Sequence, residues 1–163
     1  MKIAGIVRDS TVDGIGVRDV IFFQGCGHKC KGCQNPQTWD YNGGTHRFAA
    51  SILEELSDST NDITISGGEP LDQWEALITF LVCLKRKTNK SVWLYTGNTV
   101  DVTKRTYRIL AEFVDVIVDG KYVEELRDTN LRFRGSSNQR IIDLPTSIEE
   151  QEIVLWEESY EEI

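Results

Sequence analysis

The sequence predicts an α/β fold with a mainly parallel sheet, shaped as an incomplete β/α barrel that is open on one side. After residue 45, segments with helical and strand patterns alternate, as they do where crossover helices join parallel strands. Three of those strands run into glycine turns, at Gly67, Gly97 and Gly120. The chain has 163 residues, whereas a closed barrel takes about 250, so we expect the barrel to be incomplete.

The N-terminal segment predicts a β-hairpin. Residues 2–7 have strand character, residues 9–18 contain a turn rich in glycine and aspartate, and residues 17–23 form a second strand-like run. An irregular segment, here called the cysteine loop, follows at residues 24–44. Loops of this length in a small domain are usually functional, so we expect the site to lie there.

Alternating helices and strands occupy the middle of the chain. Apolar residues recur at helical spacing in the helices, whereas β-branched and aromatic residues are frequent in the strands. Asp72 is expected to cap the second helix. The predicted elements are helix 48–56, strand 62–66, helix 73–87, strand 91–95, helix 101–113 and strand 114–118.

The last third of the chain is less regular. We expect a helical turn at 122–126, a polar loop at 132–140 and a late strand at 140–144, after which Ser147 caps a short helix. The acidic tail is expected to fray from about residue 157. Because no repeat or linker interrupts the sequence, residues 1–163 are expected to form a single domain.

Three of the four cysteines, Cys26, Cys30 and Cys33, lie close together in the cysteine loop. Glycines between them allow the backbone to turn tightly around a small inorganic group. An iron–sulfur cube has four irons and usually takes four cysteine thiolates. Three clustered thiolates therefore suggest a [4Fe–4S] cluster with one iron left open for substrate chemistry.

Other uses of the cysteines have less support. A structural zinc site needs a fourth ligand, and neither His28 nor His46 gives a familiar zinc spacing. Three close cysteines cannot all pair as disulfides, and nothing in the sequence suggests secretion. Cys83 lies in an apolar helical run and is expected to pack in the core. A non-enzymatic module, with zinc or a ferredoxin-like cluster, remains the alternative from a different class.

Composition narrows the function further. The net charge of −8 argues against nucleic-acid binding, since phosphate contacts need clustered cations. The N-terminal segment becomes charged too early for a signal peptide, and no apolar stretch approaches the length of a membrane span. Cysteine clusters that bind metals are typical of a reducing compartment. We therefore expect a cytoplasmic protein that binds neither nucleic acid nor membrane.

The cysteine loop is followed, one helix and one strand later, by Gly-Gly-Glu-Pro at residues 67–70. This combination resembles the radical S-adenosylmethionine superfamily. The resemblance implies a partial β/α barrel of the radical SAM type, whose three cysteines hold a [4Fe–4S] cluster and whose open iron binds S-adenosylmethionine. In that superfamily, an electron from the reduced cluster breaks a carbon–sulfur bond to give methionine and a 5′-deoxyadenosyl radical.

The resemblance also implies which residues contact S-adenosylmethionine. Many members carry an aromatic residue before the third cysteine, near the adenine, but this chain has Gly32 there. The contact then falls to the backbone from Gly32 to Gln34 or to another ring such as Tyr95, which fits a core position equally well. Glu69 is expected to stabilise the glycine turn or add charge, and Pro70 to fix the backbone before the next helix. The implied cofactor-binding residues are Gly32, Cys33, Gln34, Gly67, Gly68, Glu69, Pro70 and Tyr95.

A narrower resemblance covers the chain up to about Asp143. Its motifs are Asp-Gly-Ile-Gly-Val-Arg at 13–18, Gln-Gly-Cys at 24–26, Asn-Pro-Gln-Thr-Trp-Asp at 35–40, Val-Asp-Gly-Lys-Tyr at 118–122 and Arg-Gly-Ser-Ser-Asn-Gln at 134–139. Together these motifs resemble the activating proteins of anaerobic (class III) ribonucleoside-triphosphate reductases.

This second resemblance implies an oxidoreductase that generates a glycyl radical on the large subunit of the reductase. The implied partners are that subunit and an external low-potential electron donor such as a flavodoxin. The 134–139 loop is expected to meet the partner or line the ligand site, through Arg134, Gly135, Ser136, Asn138 and Gln139. Two alternatives are activation of another glycyl radical enzyme and small-molecule radical chemistry, such as that of a deazapurine synthase.

Overall fold

A seven-stranded sheet forms the centre of the structure, a computed structural model that describes residues 1–158. The strands are β1 (Lys2–Ser10), β2 (Arg18–Phe23), β3 (Thr45–His46), β4 (Asp62–Gly67), β5 (Val92–Tyr95), β6 (Val116–Asp119) and β7 (Arg140–Asp143). The α-helices are α1 (Ala49–Glu55), α2 (Trp74–Lys87), α3 (Arg105–Leu110) and α4 (Leu144–Glu150). Short 3₁₀ helices lie at Pro36–Thr38, Pro70–Gln73 and Glu124–Leu126.

The four central strands, β2, β4, β5 and β6, are parallel, as the alternation of helices and strands predicted. Helices α1, α2 and α3 connect each of these strands to the next, because parallel neighbours need a crossover. β1 forms the predicted hairpin with β2, and β3 and β7 add antiparallel strands at the two edges. Within residues 1–158 the edge strands β3 and β7 do not pair with each other, so this mixed sheet is open.

The two faces of the sheet are covered differently. Ile65 of β4 belongs to a hydrophobic cluster that contains residues of all four helices, including Leu81 of α2. The opposite face carries Trp93 of β5, whose ring makes edge-on contacts with Phe133 and Trp156. Successive strand residues point to opposite faces, so each parallel strand contributes to both layers. Helices cover one face, and loops cover the face that would be the inside of a barrel.

Arg18 is fully buried on the face covered by loops. Its guanidinium donates hydrogen bonds to Thr64 Oγ1 at 2.8 Å, to the Ile63 carbonyl at 2.8 Å and to the Ser91 carbonyl at 3.1 Å. It also lies over the Trp93 ring, 5.6 Å from the ring centre. Burial lowers the pKa of Arg18, although an arginine keeps its charge in proteins. Because β2 begins at Arg18, this network stabilises the sheet at the end away from the cysteine loop.

Two predicted helix caps are wrong. Asp72 lies inside the 3₁₀ helix that precedes α2, and its carboxylate accepts a hydrogen bond from the Tyr41 hydroxyl. α4 is capped by Asp143, whose Oδ1 accepts a hydrogen bond from Thr146 N at 3.0 Å. Ser147 is buried and donates to the Asp143 carbonyl instead. In both places a helical turn begins before the predicted cap: a 3₁₀ helix starts at Pro70 ahead of α2, and α4 itself starts at Leu144.

The third predicted helix is too long. α3 spans Arg105–Leu110, whereas the prediction was 101–113, because Asp101 accepts hydrogen bonds from the backbone and the hydroxyl of Thr103 and forms a turn there. None of the helices in the described part of the chain has the length and apolar character needed to cross a membrane. Most of the tail expected to fray, residues 159–163, lies outside the described residues.

Candidate functional site

An open cavity of about 500 Å³ lies at the carboxyl ends of the parallel strands. The loops that follow β2, β4, β5 and β6 all contribute to its lining. The predicted site residues in the lining are Cys26, Cys30, Cys33, Gln34, Gly67, Gly68, Tyr95, Arg134, Gly135 and Gln139. The remaining predicted site residues are not part of the lining; they are Gly32, Glu69, Pro70, Ser136 and Asn138.

The cysteine loop folds back on itself through its backbone. Gly25 N donates a hydrogen bond to the Thr38 carbonyl at 2.7 Å, and Cys26 N donates to the Trp39 carbonyl at 3.2 Å. Gly25 has a φ of +104°, and a β-carbon there would overlap the ring of Tyr41, so only glycine fits this turn. The fold-back keeps Cys26 buried, while Cys30 and Cys33 are half-buried.

Backbone N–H groups lie near two of the three sulfur atoms. Asn35 N donates a hydrogen bond to Cys33 Sγ at 3.4 Å, and the N–H groups of His28 and Lys29 are close enough to the sulfur of Cys26 to affect its pKa. Burial raises the pKa of the Cys26 thiol, and the two N–H groups oppose that shift because they stabilise the thiolate. Donors of this kind suit sulfur atoms that bind a metal as thiolates.

The donor set fits an iron–sulfur cluster. Among the side chains of residues 1–158, no three of His, Cys, Asp or Glu are grouped so that they could hold a single metal ion. A [4Fe–4S] cube presents a separate iron to each thiolate, so its ligands lie farther apart than those of one ion. Three cysteines around one cavity are the ligands that such a cube needs when its fourth iron is left free.

Gly67, the last residue of β4, and Gly68 pack directly against the start of the cysteine loop. Gly68 N donates to the Phe23 carbonyl at 2.8 Å, and Glu69 N donates to the Gly25 carbonyl at 2.8 Å. A β-carbon on Gly67, whose φ is +102°, would overlap the backbone of Phe23. A β-carbon on Gly68 would overlap the Gly25 carbonyl. Both glycines therefore allow two backbone segments to approach each other, in addition to lining the cavity.

Glu69 connects three loops from a buried position. Its Oε1 accepts hydrogen bonds from Leu71 N at 3.1 Å and from the Thr96 hydroxyl at 2.8 Å. Its Oε2 accepts from Gly97 N at 2.8 Å and lies 3.0 Å from His28 Nε2. Of the two roles expected for Glu69, the contacts support stabilisation of the glycine turn. They also fix His28, which lies between the first two cysteines.

Tyr95 lines the cavity but uses its hydroxyl inside the protein. The hydroxyl donates a hydrogen bond to the Phe133 carbonyl at 2.7 Å, and burial raises the pKa of Tyr95. The ring packs with the cluster around Trp93. Tyr95 thus occupies the core position that the sequence also allowed, with part of its surface on the cavity.

The model of the family described as a 4Fe-4S single cluster domain matches residues 12–142 of this chain. Three curated relatives have the name anaerobic ribonucleoside-triphosphate reductase-activating protein. The relative from Haemophilus influenzae is 34% identical over 139 residues, which is 80% of this chain and 90% of the relative. The relative from Escherichia coli K12 is 34% identical over 137 residues, which is 78% of this chain and 89% of the relative. The relative from Enterobacteria phage T4 is 36% identical over 138 residues, 80% and 86% of the two chains.

The chain belongs to the family of anaerobic ribonucleoside-triphosphate reductase-activating proteins. The resemblance stated from the motifs is therefore confirmed. The family match also identifies an iron–sulfur, metal-binding protein of the oxidoreductase type. In this member, the three cysteines and every lining residue of the cavity except Thr11 lie within the 12–142 region that the family model covers.

In this member of the family, the 134–139 loop contributes to the cavity through some of its residues only. Arg134, Gly135 and Gln139 reach the lining, whereas Ser136 is fully buried and Asn138 is exposed. Gln139 Oε1 accepts hydrogen bonds from Gly135 N at 2.9 Å and Ser136 N at 3.2 Å. Arg134 donates hydrogen bonds to the carbonyls of Ser137 and Gln139. The loop is thus held largely by its own side chains.

Sequence reasoning assigned no site role to three residues that matter here. Tyr122 and Lys121 line the cavity, and Tyr122 approaches Gly32 at the cysteine loop. Asp119, at the end of β6, is buried and binds Arg140 through two hydrogen bonds of 3.0 and 2.6 Å, which raise the pKa of Arg140. The motif at residues 118–122 was the available signal, but its letters do not say which side chain points to a ligand.

Proposed function

We propose that this chain activates an anaerobic ribonucleoside-triphosphate reductase by generating a glycyl radical on the large subunit of that enzyme. When bound and reduced by an external donor, the [4Fe–4S] cluster would supply the electron that splits S-adenosylmethionine into methionine and a 5′-deoxyadenosyl radical, and that radical would take one hydrogen atom from a glycine of the partner. The chain would then be an oxidoreductase of the radical SAM class, cytoplasmic, with residues 1–163 as a single domain and its open sheet as the arc of a partial barrel.

One observation carries the proposal: three cysteines from one loop and the glycine turns after β4 and β5 line the same open cavity. In α/β folds, such a position at the carboxyl ends of parallel strands is where ligands bind. The family of the chain and the 4Fe-4S description of its model support the same chemistry. The cavity is open to the surface, so a segment of a protein partner can reach it.

The site residues fall into two groups: cysteines that would bind the iron–sulfur cluster, and residues that would contact S-adenosylmethionine. Cys26, Cys30 and Cys33 would hold three irons, each through its sulfur. The backbone at Gly67 and Gly68, with Gln34 beside Cys33, would contact S-adenosylmethionine on the cavity side. The other residues assigned to cofactor binding would support the site through their contacts with neighbouring loops; they are Gly32, Glu69, Pro70 and Tyr95.

The partner and the electron donor complete the proposal. The named relatives activate anaerobic ribonucleoside-triphosphate reductase, so the large subunit of such an enzyme is the expected partner here. An external low-potential donor such as a flavodoxin would reduce the cluster. Because the chain leaves its cavity open, we expect the partner to enclose the site and limit side reactions of the radical.

Anaerobic electron paramagnetic resonance tests this function. The cluster-loaded protein, the large reductase subunit, a reductant and S-adenosylmethionine are mixed, and a glycyl-radical doublet is expected on the partner. Substitution of the target glycine of the partner by alanine removes the hydrogen donor and should abolish the doublet. An intact cluster that cleaves S-adenosylmethionine but gives no doublet would contradict the proposal and favour a small-molecule reaction.

A further inference from the structure

Tyr122 lies beside the cysteine loop, in contact with two glycines. An ideal β-carbon on Gly32 would be 3.2 Å from Tyr122 Cε1, and one on Gly135 would be 3.0 and 3.1 Å from Cδ2 and Cε2. The same β-carbon on Gly32 would overlap the carboxylate of Glu124. The ring therefore spans from one glycine backbone to the other, and it lines the cavity.

Side chains of the 134–139 loop hold the backbone on both sides of Tyr122. Gln139 Nε2 donates a hydrogen bond to the Gly120 carbonyl at 3.1 Å, and Asn138 Nδ2 donates to the Lys121 carbonyl at 2.8 Å. On the other side, Val123 N donates to Ser136 Oγ at 3.2 Å. Residues 120, 121 and 123 are thus all bound by one loop.

Hydrogen bonds within the 134–139 loop hold its own side chains in place. The Ser136 hydroxyl donates to Asn138 Oδ1 at 2.6 Å, and the carboxamide of Gln139 accepts two backbone N–H groups of the loop. The Tyr122 hydroxyl donates to Glu124 Oε2 at 2.7 Å, which fixes the remaining rotation of the ring. An aromatic side chain bound on so many sides is held in one orientation.

Tyr122 differs from other rings on the cavity. The Tyr95 hydroxyl binds the Phe133 carbonyl, while Phe133 itself packs against Trp93 and lies under the guanidinium of Arg132. Tyr122 approaches Gly32, the residue before Cys33, so a flat group bound beside Cys33 would lie within reach of this ring. Stacking on an aromatic ring is how proteins bind a nucleobase without reading its edges.

We propose that the 134–139 loop is a clamp that positions Tyr122 as the wall on which the adenine ring of S-adenosylmethionine stacks. This inference rests on the proposed function, since it takes S-adenosylmethionine as the ligand. It assigns the Arg-Gly-Ser-Ser-Asn-Gln motif a positioning role within the chain. The same arrangement explains why residue 32 is a glycine, because any side chain there would overlap Glu124 and crowd Tyr122.

The test measures binding of S-adenosylhomocysteine to the anaerobic, oxidised, cluster-loaded protein by isothermal titration calorimetry. Tyr122→Leu removes the aromatic face but keeps apolar bulk, and we expect affinity to fall about tenfold. Tyr122→Phe keeps the face and should bind within about twofold of the parent. Tyr107→Phe, which changes a buried tyrosine away from this cavity, is the matched control and should bind as the parent does.

The positioning role needs a second measurement. Gln139→Ala and Asn138→Ala should weaken binding about threefold in the parent background but not in Tyr122→Leu, since coupled residues are non-additive. Ser137→Ala, in the same loop, is the control and should have no effect. In protein labelled with 3-fluorotyrosine, the ¹⁹F signal that Tyr122→Phe removes should shift when S-adenosylhomocysteine binds, and Gln139→Ala should broaden it.

The outcomes separate the two proposals. If the parent binds S-adenosylhomocysteine and Tyr122→Leu binds equally well, the stacking wall is wrong while the proposed function stands. If Gln139→Ala weakens binding equally in both backgrounds, the clamp does not act through Tyr122. If the cluster-loaded parent binds no S-adenosylhomocysteine, the proposed function fails, and this inference fails with it.

Discussion

Two glutamines hold two loops on the same cavity, and they do so in different ways. Gln24, at the start of the cysteine loop, is buried, and its Nε2 donates to the carbonyls of Gln37 at 3.2 Å and Asp40 at 2.7 Å. Gln139, at the end of the 134–139 loop, accepts two N–H groups of its own loop and donates to the Gly120 carbonyl. Gln24 closes a loop around the cysteines, whereas Gln139 joins one loop to another.

The difference follows from what each loop has to hold. The cysteine loop depends on close backbone packing at glycines, and Gln24 fills the space that Gly43 and Gly44 leave free. A metal cluster would add strong bonds to this loop. The 134–139 loop has no cysteine and is held by side-chain hydrogen bonds, each contributing about 1 kcal/mol. Loss of the cluster should therefore affect the first loop far more than the second.

The largest effect is expected at the cysteines. Cys26→Ser, Cys30→Ser and Cys33→Ser should each abolish stable iron loading, because a cube bound through two protein thiolates has two exposed irons. Iron and sulfide content after anaerobic reconstitution measures this. Cys83→Ser is the control, because Cys83 lies on α2, half-buried against the core, and should load fully. Full loading in Cys30→Ser, or none in Cys83→Ser, would overturn the ligand assignment.

The second-largest effect is expected when a β-carbon is added at Gly68. Gly68→Ala would push its methyl group into the Gly25 carbonyl, which displaces the cysteine loop and should cost about 2–4 kcal/mol of stability. Thermal unfolding and iron content report the change. Gly5→Ala is the matched control, since no atom lies within 4 Å of the added carbon and we expect a change within about 0.5 kcal/mol. Equal behaviour of the two variants would show that the cysteine loop does not depend on this contact.

The two glutamines give the direct comparison. Gln24→Ala leaves the carbonyls of Gln37 and Asp40 without their donor and should destabilise the cysteine loop by about 1–3 kcal/mol, with faster release of iron to a chelator. Gln139→Ala should release iron at the parent rate, because its contacts lie in the other loop. Identical iron-release rates for the two variants would mean that the loops are not held independently.

The smallest effect is expected at Arg134. Arg134→Ala removes hydrogen bonds to two carbonyls of its own loop and should lower local stability by about 1 kcal/mol. Hydrogen exchange at the amides of Gly135 and Ser136 should become faster, while amides of β4 keep their protection. Arg108→Ala, on the outer side of α3, serves as control. Faster exchange throughout the sheet would show that Arg134 stabilises the whole fold and not only its own loop.

Much of the fold and part of the site follow from local patterns. The parallel strands and their crossover helices have clear periodicity, and the spacing of Cys26, Cys30 and Cys33 singled out a loop that does line the cavity. The glycine turns at Gly67 and Gly97 could be placed on one rim because parallel strands end on the same side of a sheet. These signals work because each element is specified within a short stretch of sequence.

The features that the sequence does not reveal depend on distant partners. Arg18 looks like a charged residue at the start of a strand, yet it is fully buried because carbonyls far along the chain surround its guanidinium. Glu69 points inward because Thr96 and Gly97 supply donors. Tyr122 acquires its position from a loop that comes later in the chain. Side-chain direction is decided by such tertiary contacts, which no local pattern encodes.

Mössbauer spectroscopy of the ⁵⁷Fe-loaded protein tests the central claim, that three cysteines hold a cube and leave one iron free for S-adenosylmethionine. The cluster-loaded protein is measured before and after addition of S-adenosylmethionine, without reductant. We predict that one of the four irons changes its isomer shift as its coordination expands, while the other three keep thiolate-like parameters. A spectrum in which all irons stay unchanged at saturating S-adenosylmethionine would contradict the account.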